Sequence, residues 1–168
     1  MKILTLISFV SLSVYALQLP QSMKADFTQK VTNEHNQTLS YKGTFYFKAP
    51  AQSRWDYNHP SKKTVCVDKN KIIIIEHELE QAGIYANKNH IKIQTLLQEA
   101  VKKGPQTYVT AYNNVEYKLK LRDKKLSSIE FVDELGNHSK ITLDTVTYDT
   151  NLPPLGCDIP RSYDLIEN

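Results

Sequence analysis

The sequence predicts a mainly β domain with few helices, its strands forming one strongly curved antiparallel sheet. Apolar and polar residues alternate with period two along almost the whole chain beyond its first residues, the pattern of strands with one buried face. The chain carries 10 Tyr, five Phe and one Trp against only five Gly, and rings fit a pleated, half-buried surface better than a helix. At 168 residues, 40% apolar and 23% charged, the composition is that of a single compact domain.

The elements follow in order. Lys2, an apolar run over 3–14 and the small residues Val14 and Ala16 around Tyr15 read as a secretory signal peptide over 1–16, shorter than a membrane span, leaving 17–168 as the domain. The first Cys after that run is Cys66, too far on to be lipid-modified at the N-terminus, so the mature chain should be exported and soluble. Ala25, Phe27, Gln29 and Val31 alternate with polar residues, as do Tyr41, Gly43, Phe45 and Phe47, and the polar stretch 33–37 between them makes a long hairpin. Short strands are expected over 54–57, 64–67, 72–76 and 82–86, separated by turn residues at 58–60, 68–70 and 78–81. The stretch 91–102 is the exception: Ile91, Thr95, Leu96, Glu99 and Ala100 fall at helical spacing before Gly104 and Pro105, which predicts one amphipathic helix. Strands resume over 107–112, 116–122, 126–133 and 139–146, and residues 163–166 could add an edge strand after the proline-rich segment.

About ten antiparallel strands in ~150 residues must curl, because open twisted sheets of that size close or split. The inner face would carry Phe27, Tyr41, Phe45, Phe47, Trp55, Tyr57, Val65 and Val67, then Leu119, Leu121, Ile129, Phe131, Ile141 and Leu143. A helix packed inside that curve leaves either an apolar cavity or a filled core, and composition does not decide between them. If the face borders a cavity, Phe47→Glu should keep the fold and lose an apolar ligand.

Lys plus Arg number 21 and Asp plus Glu 18, a formal charge of +3 with the signs interspersed, which argues against a nucleic-acid partner. No glycine begins a phosphate-binding loop, and GxSxG is absent. His77 and Glu78 resemble the start of a zinc helix, but Gln81 stands where the second histidine belongs. No catalytic residue, metal or cofactor is therefore expected; an exported hydrolase is the rival class, and a glycan or protein binder using Tyr112, Tyr117 and Tyr148 a third. Cys66 and Cys157 are an even pair in an exported chain, so either a disulfide or two buried small side chains fits.

Residues 25–32, reading ADFTQKVT, resemble the opening strand of the LolA-type periplasmic carriers of outer-membrane lipoproteins. The ordered set that follows is similar as well: Gly43 to Phe47, Ala49-Pro50, Trp55 to Tyr57, Val65 to Asp68, Glu80-Gln81-Ala82, then Asp158 to Pro160 and Tyr163 to Ile166. The resemblance implies an unclosed β-barrel with a helical lid over an apolar cavity that shelters acyl chains. On that reading Phe27, Phe45, Phe47, Trp55, Tyr57, Ile73, Ile75, Leu96, Phe131 and Ile141 line the acyl cavity. The implied partners are outer-membrane lipoproteins as cargo, an inner-membrane ABC-type lipoprotein-releasing transporter and an outer-membrane acceptor, the carrier being a monomer. The family often has Arg before the Pro of the x-Pro turn, where this chain has Ala49, so lid control and release would fall to Lys48 and Arg54. An aromatic pair of the family is replaced by the isoleucines at 72–75, making that wall aliphatic, and the two cysteines are outside its general pattern.

Overall fold

The computed structural model describes residues 20–87 and 93–167; the expected signal peptide over 1–16 lies outside the described residues. Six strands run first, β1 (Ser22–Thr32), β2 (Thr38–Lys48), β3 (Gln52–His59), β4 (Lys63–Val67), β5 (Lys71–Glu76) and β6 (Gln81–Ala86). One helix follows, α1 (Ile93–Glu99), then β7 (Val101–Lys102), β8 (Thr107–Tyr112), β9 (Val115–Arg122), β10 (Lys125–Val132), β11 (His138–Tyr148) and β12 (Asp164–Glu167). The strands form one open sheet in the order β12-β6-β5-β4-β3-β2-β1-β11-β10-β9-β8-β7. Two meanders are thus joined where β1 pairs with β11, and α1 links their far ends.

Side-chain chemistry in the turns fixes these boundaries. The β1–β2 loop folds on Asn33, whose Oδ1 accepts the backbone N–H groups of His35 and Gln37. The β10–β11 loop repeats the device with Asp133, which accepts from Leu135 and Asn137, while Gly136 takes a φ of 81°. The pairs Asn113-Asn114 and Asp123-Lys124 have positive φ at both residues, the conformation that two-residue hairpins require. Gly43 is demanded by close approach, since a Cβ there would lie 2.0 Å from the Asp56 carbonyl oxygen.

Two expectations are corrected. The predicted helix over 91–102 ends at Glu99, and Val101 and Lys102 instead pair with Val109 and Tyr108 as strand β7. The chain must already be extended there, because the N–H groups of Lys103 and Gly104 both turn onto the Thr107 carbonyl to close a hairpin. The last strand is an edge strand as expected, but it runs parallel to β6, with Leu165 opposite Ala82.

The inner face is unevenly filled. Met23, Phe45, Leu119, Leu126 and Leu143 are under 2% exposed, and they pack with Phe27, Phe47, Ile129, Ile141 and the helix residues Leu96 and Leu97 into one core. This closed half belongs to β1, β2 and β8–β11 under α1. A second, smaller cluster of Cys66, Ile73, Ile75 and Ala82 lies on the opposite face, covered by Cys157, Ile159 and Tyr163 of the C-terminal segment.

Candidate functional site

Register places the inner-face residues in transverse rows, because residues opposite one another in adjacent strands share a face. One row reads Ala25, Phe45, Trp55, Val65, Ile74, Gly83 and Ile166 across β1 to β6 and β12. The next reads Met23, Phe47, Ser53, Val67, Ile72 and Tyr85. At the other end of the strands a third row holds Phe27, Gly43, Tyr57, Lys63, Glu76, Gln81 and Asp164. From β3 onward the apolar members are mostly half-buried: Trp55, Val65, Val67, Ile74 and Tyr85 retain exposure, and Ile166 is 47% exposed. The result is an apolar surface beside the closed core, continuous with it through the aromatic rings. Phe27 meets both Trp55 and Tyr57 edge-on at 5.1 Å, and Phe45 meets Trp55 at 4.1 Å.

The third row supplies polar groups. Lys63 Nζ lies 4.7 Å from the centre of the Tyr57 ring and 5.8 Å from that of Tyr41, and 4.0 Å from Glu76 Oε1. Burial, with the neighbouring Tyr41 adding to it, pushes the Tyr57 phenol up to about 12, so it stays protonated and points its hydroxyl at Gln29 Oε1, 3.5 Å away.

The sequence-predicted cavity residues separate into three groups. Phe27, Phe45, Phe47, Leu96 and Ile141 are buried in the closed core. Trp55 and Tyr57 stand at its border, and Phe131, also half-buried, packs against Tyr117 with ring centres 5.0 Å apart. Ile73 and Ile75 are corrected: they lie on the outer face, opposite Cys66 and Thr64, and Ile72 and Ile74 take the inner positions. Four consecutive isoleucines carry no period-two signal, so only register sets their phase. Val65 and Val67 lie on the inner face as the alternation predicts, though the expected cavity lining leaves them out; Lys63 and Tyr85 are residues that sequence reasoning does not reach, the available signal for Lys63 being its place in the alternation of 63, 65 and 67 opposite Tyr57 and Trp55.

Neither predicted release residue faces the helix. Lys48 is exposed at the end of β2 on the outer face. Arg54 is also on the outer face, where its Nε donates to both Asp56 carboxylate oxygens at 2.9 and 3.0 Å and a second nitrogen reaches the Gly156 carbonyl at 3.4 Å. It therefore holds the C-terminal segment. Cys66 and Cys157 are joined by a disulfide with Cα atoms 5.8 Å apart, and Tyr163 donates its hydroxyl to the His77 carbonyl. A pocket of about 150 Å³ under this strap, lined by Gln52, Asp68, Lys71 and Leu155 among others, is smaller than the ~300–1,000 Å³ usual for ligand sites.

Among the described residues no cluster of His, Cys, Asp or Glu could hold a metal, and no helix is long and apolar enough to cross a membrane. An open curved sheet, closed by a helix over one half of its inner face and presenting apolar side chains on the other, defines an unclosed β-barrel with a half-covered apolar face. Residues 19–113 match the family described as outer membrane lipoprotein carrier protein LolA. The outer-membrane lipoprotein carrier protein of Campylobacter jejuni is 32% identical over 99% of both chains. That of Helicobacter hepaticus is 34% identical over 75% of this chain and 71% of its own. In fold, an uncharacterized conserved protein of Thermus thermophilus superposes with a TM-score of 0.56 at 13% identity, over 89% of this chain and 92% of that one. The chain belongs to the LolA family of outer membrane lipoprotein carrier proteins.

Proposed function

We propose that the chain is an exported, non-enzymatic periplasmic carrier that shields lipoprotein acyl chains on the apolar rows of β3–β6. It receives its cargo from an inner-membrane ABC-type transporter and yields it to an acceptor at the outer membrane. The observation that carries this reading is the half-buried surface of Trp55, Val65, Val67, Ile74 and Tyr85 beside a core that is already complete. Each acyl CH₂ kept from water contributes about 0.8 kcal/mol, so one long chain needs on the order of 10 kcal/mol of shelter. Because these side chains are part-exposed in the free protein, an acyl chain can cover them without dismantling the core, and release restores the same surface.

Mass spectrometry of the native protein from the periplasmic fraction tests this. Bound lipoprotein or diacyl lipid, on a chain that begins at Leu17, is the expected result. Recovery only with membranes, a retained segment 1–16, or a protein that binds no acylated ligand would overturn it.

A further inference from the structure

At one end of the inner face a row of polar side chains borders the apolar rows, and its chemistry bears on how a ligand lies there. Lys63, Glu76 and Gln81 occupy adjacent inner-face positions on β4, β5 and β6. Tyr57 precedes them on β3, and the exposed Asp164 of β12 follows Gln81 at the edge, a second acceptor and a second charge against an anionic head. The rows beyond this polar one, through Ile74 and then Ile72, are apolar from β4 to β6. The separation of 4.0 Å between Lys63 and Glu76 is longer than a hydrogen bond, and their side chains keep 27% and 36% of their exposure. Lys63 is held in place by the faces of Tyr57 and Tyr41 rather than consumed by an acceptor.

We propose that Lys63, Glu76 and Gln81 form a subsite for the neutral ester-and-amide head of an acylated ligand, whose chains then run over Val65 and Ile74 toward Val67 and Ile72. The proposal rests on the carrier reading and adds a head site and a direction to it. An ammonium group donates to ester carbonyls, a carboxylate accepts from amide N–H groups, and a carboxamide does both. A head carrying both functions satisfies the row. A bare carboxylate head would meet Lys63 but be repelled by Glu76, and a plain alcohol would leave most of the row unused.

Two probes of equal chain length separate the head from the chain: an N-acetylated dipalmitoylglyceryl-cysteinyl tetraserine amide, whose capped termini keep the head neutral, and hexadecanol. Lys63→Met should weaken lipopeptide binding about tenfold, the effect of losing one charge-assisted hydrogen bond, and leave hexadecanol binding unchanged. Glu76→Gln should improve binding of palmitate relative to the lipopeptide. Equal loss for lipopeptide and hexadecanol on Lys63→Met, or loss for neither, overturns the subsite while leaving the carrier reading intact. Failure of both probes to bind the unaltered protein overturns the carrier reading and the subsite with it. Direction is read without any substitution, because Trp55 is the single tryptophan and lies one row from the polar border. A nitroxide near the head ester should quench it more than one at the chain terminus; the reverse order overturns the proposal even if Lys63→Met fails to fold.

Discussion

Phe47 and Ile74 are both inner-face residues of this sheet, yet a charge should act differently at each. Phe47 is 2% exposed inside the closed core, so Phe47→Glu places an unpaired carboxylate where no water reaches and should abolish the cooperative unfolding transition. This reverses the expectation drawn from alternation alone, which sees the face and not how far it is filled. Ile74 stands on the half-buried surface, and Ile74→Glu should keep a cooperative thermal transition while losing acyl-ligand binding. A scan of both variants by circular dichroism, paired with ligand titration, separates the two. At Gly43 the constraint is spatial, with Asp56 backbone and the Phe27 ring already within 3 Å of where a Cβ would stand. Gly43→Ala should therefore cost roughly 1–3 kcal/mol, read from the urea midpoint. Asp133 links stability to pH: the Asn137 side-chain amide lowers its pKa, burial opposes this, and the N–H groups of Asn137 and Leu135 add to the lowering. A carboxyl depressed in the folded state contributes stability that is present above its ordinary value of 3.8 and lost as pH falls through the lower folded value. Asp133→Ala should lower stability at neutral pH and flatten this acid limb in urea titrations.

At the scale of elements, the C-terminal strap is the part least readable in advance. It has little regular structure before β12, and it is held by Leu155, the disulfide, the Arg54–Gly156 contact and the Tyr163–His77 contact. Parity and compartment made a Cys66–Cys157 bond one of two open readings, and nothing in the spacing pointed to the outer face. Cys157→Ser should lower the melting temperature by several degrees or more, since a loop of this length is worth up to about 4–5 kcal/mol in the chain-entropy model. The same loss on adding reductant to the unaltered protein, with no further loss in the variant, checks the assignment. The strands were legible because Asn33, Asp133 and the Asn113-Asn114 and Asp123-Lys124 pairs punctuate them with turn chemistry. The helix end was not, because Val101 continues a helical spacing while its backbone is already committed to β8. Likewise the phase of β5 was hidden by its run of isoleucines, which moved Ile73 and Ile75 to the wrong face of the expected site.

Across the whole molecule, the open sheet ends at β12 on one side and at the two-residue β7 on the other. Both edges are short, which limits the length of ladder another chain could extend. The centre is where the chain ends up furthest from its own neighbours. β1 pairs with β2 at once, but its other partner is β11, so that Met23 meets Tyr148 and Val31 meets Ser139. Pairings this distant in sequence close slowly, and refolding should run in milliseconds to seconds rather than microseconds, as stopped-flow Trp55 fluorescence can time. The first six strands alone would leave Phe27, Phe45 and Phe47 bare, because α1 and β8–β11 supply the residues that cover them. Without its second half the protein would itself be an apolar surface in need of shelter, and a fragment ending at Asn87 should self-associate where the full chain stays dispersed.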